Sequence, residues 1–380
     1  MIAPARLFGC FALGLAAPAL AQPVIDHPAV AYATVGGREL LLDLYIPDQG
    51  VGPFPVVLWI HGGGWSGGSR ANPGGLGLLN QGIAVASLDY RLSGQDALFG
   101  GESVHWPAQI HDCKAAVRFL RAHADEFNLD PHRVGAWGSS AGGHLAAMLA
   151  VAGGDPVLEG TVGGHTEFSS RVLAAADYFG PSDLLWMNED VTTPPGSGLD
   201  HDAHTSPESK LIGYDQPGQG LEDLKNNLEN PAAPYPGLLA LVRSASPFRL
   251  VGQDAAPLFI AHGDADTSVP LGQSVKMRQA YSALALPHEF RQVAGAGHGF
   301  LGQQTNADTI EFFASRLRDG PVMYGADLTG DRRVDIDDLH AITTQPVDLN
   351  GDGMADADDA RALEAWIRRD EWATLTAPRD

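Results

Sequence analysis

Cysteine is almost absent from these 380 residues: there are two, Cys10 and Cys113. Cys10 falls within residues 1–21, where Met1 to Arg6 lead into an apolar stretch, Leu7 to Leu20, ending in Ala19-Leu20-Ala21. That is the pattern of a secretory signal peptide with a small-residue cleavage site. A mature chain would keep Cys113 alone and form no internal disulfide, although an exported compartment permits one. The apolar stretch is short and interrupted by Pro18, too little to span a hydrocarbon layer of ~30 Å. Positive charge is scarce as well: 24 basic residues against 46 acidic ones give a net charge of −22. Such a surface repels phosphate backbones and anionic membranes, so neither nucleic acid nor membrane is an expected partner. Export, to the periplasm or the medium, is the expected localisation.

What is present supports a large folded unit. Apolar residues make up 44% of the chain and charged ones 18%, a globular balance. Short β-branched runs, such as Val56 to Ile60 and Ile83 to Leu88, alternate with helical patterns, which predicts a mostly parallel sheet with crossover helices. After Pro107, the residues Ile110, Cys113, Val117 and Leu120 recur at helical spacing, so one helix face packs on the sheet and Cys113 is a core residue. Between Asn188 and Ala233 the pattern dissolves into Gly, Pro, Asn, Asp and His, too long for a plain connection, and reads as an inserted lid. Within it Asp200-His201-Asp202-Ala203-His204 is read as an exposed polar loop in preference to a metal site.

Four segments carry chemistry. Arg133 to Trp137 reads as a strand and runs into Gly138-Ser139-Ser140-Ala141-Gly142, with a helical stretch from His144 to Ala150 beyond. This is a nucleophile elbow in the strand-turn-helix setting that it requires, with Ser140 exposed at the turn and glycines where side chains would collide. Upstream, Val56 to Ile60 ends in His61-Gly62-Gly63-Gly64-Trp65, a glycine-rich loop whose amides can approach a substrate oxygen. Gly63, Gly64 and Ala141 are the expected oxyanion donors, with His61 bracing the loop. Downstream, the strand Leu258 to Ala261 ends in His262-Gly263-Asp264-Ala265-Asp266. Asp266, further into the loop, is the chosen acid, with Asp264 as the alternative or as a cap of the turn. His298, within Gly295-Ala296-Gly297-His298-Gly299, is the expected base, and the order Ser140, Asp266, His298 is the one this fold uses. These groups suffice for acyl transfer, so no catalytic cofactor is expected.

With these motifs, and with Asp89-Tyr90-Arg91-Leu92-Ser93 and Gly142-Gly143-His144, the chain from about residue 25 to 318 resembles bacterial α/β-hydrolases of the feruloyl-esterase-like and acetyl-xylan-esterase-like carboxylesterase group. The resemblance implies an α/β-hydrolase fold over residues 22–320, with the lid at about 188–233, and hydrolysis of a carbohydrate ester. Serine exopeptidases share the fold and triad but usually carry an aromatic residue where Ala141 stands. A catalytically silent binding or scaffold protein is the reading from another class, and the complete set of triad and loop residues counts against it.

The composition shifts after about Gly320: Asp327 to Asp380 hold 14 acidic residues and 6 arginines. Asp348, Asn350, Asp352, Asp356 and Asp359 fall at positions 1, 3, 5, 9 and 12 of a calcium loop, with Gly353 at position 6 and the Met354 carbonyl at position 7. Twenty-one residues earlier, Asp327, Thr329, Asp331, Asp335 and Asp338 repeat the spacing, with the Arg333 carbonyl at position 7. The first copy has Arg332 where glycine eases the turn and Thr329 where a stronger ligand is usual, and is expected to bind Ca²⁺ more weakly. The pair resembles a small helical EF-hand or dockerin-like module, over 321–380, which implies a protein partner. The dockerin pattern has hydroxyl-bearing residues late in each loop; here Ile336-Asp337 and Ala357-Asp358 stand there instead.

Overall fold

The computed structural model describes residues 24–101, 104–153, 155–191 and 198–318. The expected signal peptide and both calcium loops lie outside the described residues.

Among the described residues eight strands form one sheet: β1 (His27–Val35), β2 (Arg38–Tyr45), β3 (Phe54–Ile60), β4 (Ala84–Leu88), β5 (Leu129–Ser139), β6 (Ala174–Tyr178), β7 (Leu258–Gly263) and β8 (His288–Val293). Their order is β1-β2-β4-β3-β5-β6-β7-β8. The β1–β2 and β2–β4 pairs are antiparallel and every later pair is parallel. The helices are α1 (Ala108–Ala122), α2 (Ala124–Phe127), α3 (Ala141–Val151), α4 (Pro156–Glu159), α5 (Pro207–Leu211), α6 (Leu221–Asn226), α7 (Tyr235–Ser244), α8 (Leu271–Ala283) and α9 (Gln303–Phe313).

The two-residue period of a strand sorts β3 between two cores. Val56, Leu58 and Ile60 join one cluster with α1, α3 and α8, while Val57 joins the other with Phe312 and Phe313 of α9. A parallel sheet covered on both faces follows, which is why β3 and β4 read as continuous apolar runs. Cys113 is fully buried on α1 with Ile110, Val117 and Leu120, as its helical spacing predicts. Every residue of α3 is buried, so this helix lies inside the molecule with no solvent face.

The parallel register decides where the site is. Ile60 pairs with Gly138, Ser139 with Tyr178, Tyr178 with Ala261, and Gly263 with Val293. The C-terminal ends of β3, β5, β6, β7 and β8 are therefore level along one edge. The loops that follow them emerge side by side, the usual position for ligand sites in open α/β sheets.

Candidate active site

The turn from β5 into α3 is as tight as its glycines imply. A Cβ at Gly138 would overlap the Gly142 carbonyl, and one at Gly142 would overlap the carbonyl of Ile60. Between them Ser140 has φ 57° and ψ −125°, an unfavourable conformation for a residue with a side chain and the one that lifts its hydroxyl out of the turn. The strain is held by the backbone: Ser140 N–H donates to the Tyr178 carbonyl at 2.8 Å, and the Ser140 carbonyl accepts from His144 N–H at 3.0 Å.

Ser140 Oγ lies 2.9 Å from His298 Nε2, and His298 Nδ1 lies 2.7 Å from Asp266 Oδ2. The second carboxylate oxygen, Asp266 Oδ1, accepts from the N–H groups of Ser268 at 2.7 Å and Val269 at 3.0 Å. Burial pushes the Asp266 carboxyl up, but hydrogen bonds from His262, His298 and Val269 N–H outweigh it and hold the group well below the usual carboxylate range. Asp264 makes different contacts: its carboxylate accepts from Gly295 N–H at 2.6 Å and from Gln292 at 3.3 Å. It thus caps the loop that carries His298.

The glycine loop passes directly against the nucleophile. A Cβ on Gly62 would come within 2.8 Å of the Ser139 carbonyl and 3.1 Å of Ser140 Cβ. Gly63 sits at φ 115° and Gly64 at φ 58°, and the Gly63 carbonyl closes the turn by accepting from Ser66 and Gly67 at 3.1 and 3.0 Å. Ala141 is the first residue of α3, so its N–H has no partner within the helix. His61 is a brace: its Nδ1 lies 2.8 Å from the Gly62 carbonyl, its ring stacks on Tyr90 at 4.4 Å, and Tyr90 OH donates to the His61 carbonyl at 3.0 Å.

The polar stretch of the insertion differs from expectation. His201 is 2% exposed and its Nδ1 lies 3.1 Å from Glu208, itself 2% exposed. Asp202 pairs with Lys225 at 2.7 Å. Contacts to Glu208 of α5 and Lys225 of α6 thus draw this loop inward, and Asp200 stays outside. The insertion also supplies Leu211, Ile212, Leu221 and Leu224 to the core, and Pro207 lies against Gly64.

Four further residues contribute to the site without a role predicted from the sequence. Phe179, at φ 46° after β6, sets its ring 4.6 Å from that of His298. His262 is fully buried, with Nε2 3.0 Å from the Val269 carbonyl and 3.4 Å from Asp266 Oδ2, and Nδ1 2.7 Å from Ser274 Oγ. Trp65 and His144 are joined by a hydrogen bond. For His262 and His144 the signal in the sequence was a histidine standing inside a motif, at the end of β7 and after the elbow.

The BD-FAE family model matches residues 42–281, a stretch that takes in the glycine loop, the elbow and the acid loop. The chain belongs to the BD-FAE family. Among solved structures, this BD-FAE chain is similar to a truncated carbohydrate esterase from gut microbiota, with a TM-score of 0.63 and 29% identity, covering 79% of this chain and 98% of the other. A bifunctional GH43-CE protein of Bacteroides eggerthii gives a TM-score of 0.62 at 32% identity, over 76% of this chain and 38% of that one. Among curated proteins, Esterase LipQ of Mycobacterium tuberculosis is 30% identical over 271 residues, 70% of this chain and 55% of LipQ. Esterase LipC of the same organism is 28% identical over 68% of this chain and 57% of its own length. The chain spans about half the length of the curated relatives it matches. The fold is that of the α/β-hydrolases.

Proposed function

We propose that this protein is a secreted serine hydrolase of carboxylic esters, with Ser140 as nucleophile, His298 as general base and acid, and Asp266 as the group that orients the imidazole. The observation that carries the reading is the unbroken line from Ser140 Oγ through His298 to Asp266, at 2.9 and 2.7 Å. An ionised Asp266 accepts a hydrogen from Nδ1, which leaves the Nε2 lone pair facing the serine hydroxyl. His298 takes that proton as Ser140 attacks the ester carbonyl, and the amides of Gly63, Gly64 and Ala141 receive the developing oxyanion. The imidazolium then protonates the departing alcohol, and the same base activates the water that frees the acyl group.

The substrate class proposed is a carbohydrate ester, feruloyl or acetyl groups on plant polysaccharide. Its support is the likeness to a gut carbohydrate esterase and to a GH43-CE protein. We assign residues 1–21 to export, 22–320 to the catalytic domain with its lid, and 321–380 to a calcium-binding module that meets a protein partner, on their sequence patterns alone.

The test is turnover of p-nitrophenyl acetate, and release of ferulate or acetate from esterified xylan, by the wild type and a Ser140→Ala variant. Loss of the nucleophile should lower kcat by about 10⁶. Turnover that persists in the variant would remove Ser140 from the mechanism. A wild-type protein inert towards both ester types would transfer the weight to peptide bonds or to a binding role.

A further inference from the structure

Two motif residues take no part in the proton or acyl transfers above. Trp65 follows directly on Gly63 and Gly64, and His144 is the fourth residue after Ser140. The fold brings them together from 79 residues apart: Trp65 Nε1–H donates to His144 Nδ1 at 3.1 Å, with the rings 5.1 Å apart and nearly perpendicular. On the other side of the imidazole, Nε2 lies 2.8 Å from the Ala245 carbonyl. A carbonyl only accepts, so Nε2 carries the hydrogen and Nδ1 presents its lone pair to the indole. Burial pushes the pKa of His144 down to about 4, against the opposing effect of the Ala245 hydrogen bond. The ring is therefore neutral near pH 7, and Nδ1 remains an acceptor.

Trp65 is a place where the loop needs holding. A bulky residue at φ 55° is strained, and the three preceding residues are glycines with little stiffness of their own. Trp65 is nevertheless 1% exposed, its carbonyl accepts from Ser93 N–H at 2.8 Å, and its indole is tied to a fully buried histidine. That histidine belongs to α3, the helix whose first N–H is the Ala141 donor, and its own N–H bonds to the Ser140 carbonyl.

We propose that Trp65 and His144 are the positioning pair of the oxyanion loop, their indole–imidazole hydrogen bond fixing the Gly63 and Gly64 amides relative to Ser140 and Ala141. The proposal rests on the reading of Ser140 as nucleophile. Donors from β3's loop and from α3 must converge on one oxygen within a few tenths of an ångström, and this bond couples the two elements directly.

Three variants test it. Trp65→Phe keeps a ring and removes the donor. In His144→Asn the amide oxygen can stand near Nδ1 and keep accepting from Trp65, whereas His144→Gln keeps a donor towards Ala245 and loses that acceptor. With p-nitrophenyl acetate, Trp65→Phe should lower kcat by about tenfold, with KM changed by less than about twofold. It should weaken phenylboronic acid, which becomes tetrahedral on the serine, by a similar factor. A purely structural role would lower the melting temperature without that preference for the tetrahedral state. His144→Asn should retain more turnover than His144→Gln, a comparison that stands even if Trp65→Phe fails to fold. Wild-type kcat and boronate affinity in Trp65→Phe, or a more active Gln than Asn variant, would overturn the pair. Ser140→Ala run alongside separates the two readings: an inactive alanine variant beside an unimpaired Trp65→Phe discards the pair alone, and an active alanine variant discards the nucleophile.

Discussion

Replacing Asp266 by Asn should cost far more than its small change in shape. Two backbone donors, Ser268 N–H and Val269 N–H, point at Oδ1 from 2.7 and 3.0 Å. An Asn side chain must therefore set its amide oxygen there and its NH₂ where Oδ2 was. That NH₂ then faces His298 Nδ1, which has to become an acceptor, and the ring hydrogen moves to Nε2. Nε2 faces Ser140 Oγ at 2.9 Å and can no longer remove its proton. The wrong tautomer in a Ser-His-Asp triad costs about 10⁴ in kcat, or about 5.4 kcal/mol of barrier. Asp264→Asn is the control: its amide oxygen keeps accepting from Gly295 N–H, its NH₂ can donate to Gln292 once that free amide turns its oxygen inward, and its turnover should stay close to wild type. The assay is kcat on p-nitrophenyl acetate for both variants, with circular dichroism to establish that each is folded. An Asp266→Asn enzyme within about tenfold of wild type, or a larger loss in Asp264→Asn, would refute the assignment of the acid.

Asp177 offers a test by stability. It is fully buried on β6, its Oδ1 accepts from Gly180 N–H at 2.8 Å, and its Oδ2 has no partner among the described residues. Burial raises its pKa from 3.8 to about 6, against weaker opposing effects of Gly180 N–H and His262. The native state then binds more protons than the unfolded one between those values, so stability falls as pH rises through the window. The cost reaches about 3 kcal/mol above pH 6. Urea denaturation should show Asp177→Asn more stable than wild type at pH 8 and equal to it near pH 4; an identical difference at both values would sink the argument. For the tail, titration calorimetry on the full chain should show Ca²⁺ bound at two sites of unequal affinity. The tighter should be lost in an Asp348→Ala, Asp359→Ala variant, and no heat at all would remove the metal from this protein.

The candidate site residues were legible because each is announced by its neighbours. Ser140 comes with two glycines that its turn cannot replace, and His298 lies in a glycine-flanked loop after a strand. The sheet was legible in the apolar runs of β3 and β4 and in β5, β7 and β8, which lead into the motifs, and less so in β1, β2 and β6. Strand β6 is Ala174-Ala175-Ala176-Asp177-Tyr178, a composition that favours helix in isolation and becomes a strand because it pairs on both sides within a parallel sheet. The hairpin of β1 and β2 went unread although Gly36 and Gly37, both at positive φ, are a direct turn signal. The inward course of His201 was not readable, because a stretch of Asp and His reads as solvated and only the packing around it shows that His201 and Glu208, seven residues apart, are buried together.

What the local motifs could not convey is how the strain of the site is borne. Trp65, Ser140 and Phe179 are three of the seven non-glycine residues at positive φ among those described. They follow β3, β5 and β6, three adjacent strands whose ends the register holds level. Each such conformation costs on the order of 1–3 kcal/mol, and each is tied by a backbone bond across the sheet edge. Ser93 N–H donates to the Trp65 carbonyl at 2.8 Å; Ser140 N–H donates to Tyr178, and Phe179 N–H to Ala261, also at 2.8 Å. The last two links run in series, from the elbow to β6 and from β6 to β7, the strand that leads to Asp266. The spacing between the serine and the acid loop is therefore fixed by sheet hydrogen bonds and by the buried helix α3 beneath them. His298 reaches both from the loop after β8, the edge strand, with Phe179 behind its ring. Ser140 and Asp266 are thus anchored to the sheet edge, and His298 bridges them from a glycine-flanked loop, Nε2 towards the serine hydroxyl and Nδ1 towards the carboxylate.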